Sequence, residues 1–98
     1  MKNKFCFLLF ISLTISVFAQ KQGQERIDSL IASIPKALQD TNKVKLLGDI
    51  SATFWSINPE EGIKYGKQAL ELAEKLEWKK GMASAYGRIG VNYGALYD

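Results

Sequence analysis

Large apolar residues recur along this chain at intervals of three and four, and the places where that rhythm breaks mark out helices. Ile27, Leu30, Ile31 and Ile34 form a first stripe. It predicts a short helix ended or kinked at Pro35, because proline brings no amide proton and clashes with the preceding turn. Val44, Leu47, Ile50, Phe54 and Ile57 form a second stripe, preceded by the capping oxygens of Asp40, Thr41 and Asn42, so a helix is expected from about Thr41 to Ile57. Asn58-Pro59-Glu60-Glu61 is the sharpest boundary. Asn58 can accept from the open amides of the next helix, Pro59 suits the first helical position, and Glu61 stands where a capping-box carboxylate reaches back. A third helix then runs from Pro59 to about Leu76, carrying Ile63, Leu70, Leu72 and Leu76, with Glu71 and Lys75 as an exposed pair. Trp78 falls in a turn, and a fourth helix covers about Lys79 to Tyr97. One helix stops and the next begins within two residues at Asn58, which requires an antiparallel hairpin. The expected fold class is all-α.

Small residues refine this outline. Gly62, Gly66, Ala69 and Ala73 share one face of the third helix, and Ala83, Gly87, Gly90 and Gly94 share one face of the fourth. A helical glycine costs about 1 kcal/mol relative to alanine. Close approach of neighbouring helices, with Phe54 and Tyr93 filling the grooves, is the gain expected to offset that loss.

The first 19 residues belong to a different kind of segment. Lys2 and Lys4 precede an apolar run from Phe5 to Phe18, and Val17 and Ala19 are the small pair that signal peptidase accepts before its cut. Phe5 to Ala19 is 15 residues long and holds three hydroxyl side chains, whereas a membrane-spanning helix wants ~20 apolar residues. Cleavage after Ala19 is therefore expected, with residues 20–26 as a polar, flexible start. The protein would be exported, periplasmic or secreted, with a mature segment that does not span the membrane.

Removing that segment changes the charge. Of 13 basic side chains Lys2 and Lys4 leave, so 11 remain against 10 acidic ones, and a nucleic-acid partner is not indicated. The lone Cys6 leaves too and the chain has no His, so neither a disulfide nor a zinc or haem site is expected. The glycines follow helical spacing instead of forming a phosphate-binding loop, and Glu60 and Glu61 are occupied at a helix start. No catalytic residue, cofactor or metal ligand is assigned, and the chain is not read as an enzyme.

One pattern occurs twice. Leu47, Ile50, Ser51 and Phe54 repeat as Tyr86, Ile89, Gly90 and Tyr93: large, aliphatic, small, aromatic at the same spacing. Together with the small positions Gly62, Gly66 and Ala69, these residues resemble the tetratricopeptide repeat (TPR), a helix-turn-helix unit that stacks into a superhelix. The resemblance implies an α-solenoid fragment of antiparallel helix hairpins over 27–98: a leading helix, one full repeat at about 41–78, and the first helix of a second at about 79–97. Lengthened repeats of this kind occur in the extracytoplasmic sensor regions of bacterial TPR-containing histidine kinases and nucleotide cyclases, whose opening segments this chain resembles.

The same resemblance implies a role. The groove of such a scaffold is lined by polar positions of the first helices, here Lys45, Asp49, Ala52 and Trp55 and then Arg88, Val91, Asn92 and Ala95. Trp55, one residue past the core Phe54, is read either as a binding anchor or as a cover over the leading helix. Gly48 and Ala52 stand where a carboxylate clamp would have Lys and Asn, which argues against that subclass. The expected function is a non-catalytic protein-interaction scaffold with a protein or peptide ligand. It would be the truncated N-terminal sensory part of a signalling receptor with further repeats to follow, or alternatively a freestanding secreted or periplasmic adaptor. Tyr86, Ile89, Tyr93 and Tyr97 would then form an uncovered apolar face.

Overall fold

The computed structural model describes residues 21–97. The expected signal over 1–19 lies outside the described residues, as do Gln20 and Asp98. Within 21–97 all regular structure is helical, with no strand among the described residues.

A helix, α1, covers residues 21–33, so the lead at 21–26 expected to be flexible is part of it. Its polar side chains support the helix locally: the Gln24 amide donates to the Asp28 carboxylate one turn on, at 3.0 Å. Ile27 anchors α1 by full burial beside Ile50 and Phe54, with Leu30, Ile31 and Ile57 packed around them. As Pro35 requires, the helix then tightens into a single 3-10 turn, Ile34–Lys36.

Helix α2 spans Thr41–Phe54, and its N-terminus is closed by Asp40, which accepts from the amides of Asn42 and Lys43 at 3.0 and 3.3 Å. It stops three residues short of the expected Ile57. The amides of Ile57 and Asn58 both turn back to the Phe54 carbonyl, at 2.9 and 2.8 Å. That geometry frees Asn58 to cap α3, Pro59–Lys75, by accepting from the Glu61 amide. The reciprocal half of the expected capping box is not made. The Asn58 amide is already taken by Phe54, and the Glu61 carboxylate instead meets the Lys64 ammonium at 3.3 Å.

The turn after α3 has a left-handed residue. Glu77 has φ +55°, its amide donates to the Glu74 carbonyl at 3.0 Å, and the Trp78 amide reaches the Ala73 carbonyl at 2.9 Å. These two bonds are the Schellman pattern, here built on glutamate where glycine is usual. Helix α4, Lys79–Tyr97, follows with the expected bounds.

Contacts fix the directions. Ser51 of α2 meets Gly62 and Gly66 of α3, while Val44 and Leu47 cluster with Ala69, Leu72 and Ala73. Falling numbers in α2 thus match rising numbers in α3, so the pair is antiparallel. Gly62 faces Asn92, Gly66 faces Ile89 and Ala73 clusters with Ala85, which makes α3 and α4 antiparallel as well. Helices α2 and α4 consequently run parallel, side by side against α3.

The small face of α3 is where the helices approach most closely. A Cβ on Gly66 would stand 2.7 Å from the Ile89 side chain and 3.1 Å from the Ser51 hydroxyl, and one on Gly62 would collide with the Asn92 carboxamide. Phe54 fills the α2 side, stacked on Tyr65 at 5.7 Å between ring centroids. The expected counterpart on α4 is different. Gly87, Gly90 and Gly94 have nothing within 4 Å of an added Cβ, and Tyr86 and Tyr93 are exposed. Only Ile89 of the second signature packs inward, because no described helix lies over that side of α4.

Candidate functional site

The parallel run of α2 beside α4 leaves a notch between them. Its floor is Val44, Ala69 and Ala85, and its rim carries Lys45, Asp49, Ser84 and Arg88, with Trp78 at the end nearest the start of α4. Gly48 on α2 has no side chain to fill the notch, which holds about 70 Å³. That is the volume of a small aliphatic side chain, not of a drug-sized ligand.

Polar groups on the rim are loosely held. The Arg88 guanidinium is 3.9 Å from the Asp49 carboxylate, and both side chains are about half exposed, so the pair contributes little to stability and can exchange partners. The Lys45 ammonium is 6.0 Å from the Trp78 ring centroid, at the outer limit of a cation–π contact. Gly81 is needed for that ring to sit where it does, since a Cβ there would collide with it. Apolar floor, two cations, one carboxylate and one hydroxyl can receive a short side chain and orient the backbone around it. Among the described residues no group of three or more His, Cys, Asp or Glu stands ready to hold a metal.

The structure thus brings together three of the five main groove candidates, Lys45, Asp49 and Arg88. Trp55 is not with them: it caps the C-terminus of α2, half exposed, about 15 Å along the helix axis from Lys45. Asn92 is a correction. It was expected to line the groove, yet it is fully buried, donating to the Ser51 carbonyl and hydroxyl at 3.1 and 3.2 Å and to the Arg88 carbonyl at 2.9 Å. The space it occupies is the one that Gly62 leaves open. Of the lesser candidates, Val91 is exposed, and Ala52 and Ala95 are half buried; none lines the notch.

Trp78, Gly81 and Ser84 line the notch without having been singled out for it. Their signal was present in the sequence, since Gly81, Ser84, Ala85 and Arg88 follow one another at three, one and three residues and so share a helix face. A second hollow, lined by Gln39, Lys43, Leu47, Gln68, Glu71, Leu72 and Lys75, is wider and more open to solvent. No described helix is long and apolar enough to cross a membrane. No protein-family model matches this chain, and neither does any curated protein or solved structure compared with it.

Proposed function

We propose that this protein is a non-catalytic interaction scaffold of the tetratricopeptide type, and that the notch between α2 and α4 receives a side chain of an extended protein or peptide segment. The observation that carries this reading is the convergence of Lys45, Asp49 and Arg88, positions assigned to a groove from repeat register alone, around one opening with an apolar floor. Antiparallel helix pairing and close packing at Gly62 and Gly66 support the repeat assignment. In this reading residues 1–19 are an export signal and the scaffold works outside the cytoplasm, as the sensory opening of a longer receptor.

Panning a random-peptide phage library against the protein tests the proposal. Selected peptides should bind the native chain and lose at least about tenfold in affinity on Lys45→Ala together with Arg88→Ala, as expected when charged contacts at the rim of a binding site are removed. Peptides indifferent to that double variant, or the absence of any selected peptide, would overturn it.

A further inference from the structure

Helix α4 has a second face, turned away from Ser84, Ala85 and Arg88. Ala83, Tyr86, Gly87, Gly90, Tyr93, Gly94 and Tyr97 are all exposed. At about 100° per residue they fall within roughly a third of the helix circumference. No charged side chain interrupts them. Tyr86 is 61% exposed, Tyr93 39% and Tyr97 82%, with Tyr93 and Tyr97 stacked at 6.3 Å between centroids. Beside them the three glycines face open space.

We propose that this stripe pairs with the same stripe of a second copy of the chain, antiparallel, across a two-fold axis at Gly90. Order along the helix makes the stripe complementary to itself. With Gly90 opposite the partner's Gly90, Tyr86 faces the partner's Gly94, Gly87 faces the partner's Tyr93, and Ala83 faces the partner's Tyr97. Every tyrosine therefore meets a glycine or alanine, and every small residue off the axis meets a tyrosine, as an isologous interface needs. A glycine at the crossing point also lets the two backbones approach more closely than the usual 8–10 Å.

Charge selects the same orientation. Lys79 and Lys80 occupy the first turn of α4, where the helix dipole disfavours cations, and residues 79–97 include no acidic side chain. Antiparallel pairing carries these lysines to just beyond the partner's Tyr97, beside the carbonyl end of its helix, where positive charge is favoured. Parallel pairing would place four ammonium groups together. Area sets the strength: the three tyrosines expose on the order of 400 Å² per copy, so two copies bury about 800 Å², below the ~1,200 Å² of stable complexes. The dimer is therefore weak and reversible, and it leaves the α2/α4 notch open.

Sedimentation of the purified chain should show monomer giving way to dimer between about 10 μM and 1 mM, the weak end of the affinity scale. Gly90→Leu has free space in the single chain, so it should keep the helical signal and shift association upward by at least about tenfold in concentration. In a Cys6→Ser background, Gly90→Cys should oxidise to a covalent dimer, because residues on a two-fold axis can come within disulfide reach of about 4.4–6.8 Å between Cα atoms. Gly87→Cys should cross-link poorly with itself but well with a Tyr93→Cys partner. A monomer at about 1 mM would overturn the proposal and leave the face to another occupant, a following helix of a longer chain included. Equal self-cross-linking at positions 87 and 90 would overturn the antiparallel register.

Discussion

The Asn92 carboxamide nitrogen lies 3.1 Å from the Ser51 carbonyl oxygen and 3.2 Å from the Ser51 hydroxyl, joining residues 41 positions apart in the chain. The Ser51 hydroxyl in turn donates to the Gly62 carbonyl at 2.6 Å, so three helices meet at one serine. Both residues are fully buried, and the Asn92 Oδ1 has no hydrogen-bond donor among the described residues. Burial without that last bond is costly, so the bonds that are made carry the site.

Removing either partner should therefore destabilise the fold. Ser51→Ala is expected to cost about 0.5–1.5 kcal/mol because it removes the hydroxyl's bond to the Gly62 carbonyl and one of the three contacts of the Asn92 amide, whose bonds to the Ser51 and Arg88 carbonyls remain. A double-mutant cycle with Asn92→Ala, followed by urea titration, should give a coupling energy of about 0.5–3 kcal/mol. Additive effects would show that the two side chains act separately.

Glycines on α3 and α4 should respond in opposite directions. Gly66→Leu must displace Ile89 or Ser51, and should lower stability by about 1–3 kcal/mol through overpacking. Gly90→Ala meets nothing within 4 Å and should raise it by about 0.5–1 kcal/mol through helix propensity alone. Thermal melts followed by circular dichroism check the pair, at concentrations low enough to hold the chain monomeric.

Glu77→Gly should stabilise the turn after α3. A left-handed glutamate is strained by about 1–2 kcal/mol, and glycine adopts φ +55° freely while keeping the two backbone bonds. The expected gain is about 1 kcal/mol, reduced by the greater freedom of glycine in the unfolded chain. A lower denaturation midpoint for the variant would mean that the glutamate side chain has a contact beyond its backbone geometry.

Helix α1 should prove integral to the domain. Ile27 is fully buried against Ile50 and Phe54, so Ile27→Ala is expected to cost about 2–5 kcal/mol. Guanidinium titration read by tryptophan fluorescence tests this, since Trp55 and Trp78 report on helices other than the one altered. An unchanged midpoint would show that α1 folds independently of the rest.

Helix boundaries were legible wherever a side chain closes them. Asp40, Asn58 and Pro59 announce their ends through local chemistry, and the structure places them as N-cap, N-cap and first helical residue. The C-terminus of α2 was misplaced by three residues because Ile57 continues the apolar rhythm while already belonging to the turn. Asn92 was misassigned for a different reason. Helical spacing tells which face a residue occupies, but not that a glycine on a neighbouring helix opens a space only a carboxamide fills. Lys45, Asp49 and Arg88 stand together because α2 and α4 run parallel and side by side, so like-spaced positions on the two helices meet at one opening. The outward turn of Tyr86 and Tyr93 was not legible, since the small-residue stripe of α4 matches that of α3 in composition and differs only in having no described helix against it.

The bond from Asn92 reaches past the adjacent helix α3 to α2. In an array where each helix touches only its neighbours, the terminal helix can melt alone and the remainder shortens by one unit. Here α4 cannot leave without taking the Asn92 donor from the carbonyl and hydroxyl of the inner serine, so its loss is felt two helices upstream. Unfolding of this small domain should consequently be a single concerted event, with α2, α3 and the first four turns of α4 losing amide protection at one common rate and only the residues after Asn92 opening on their own.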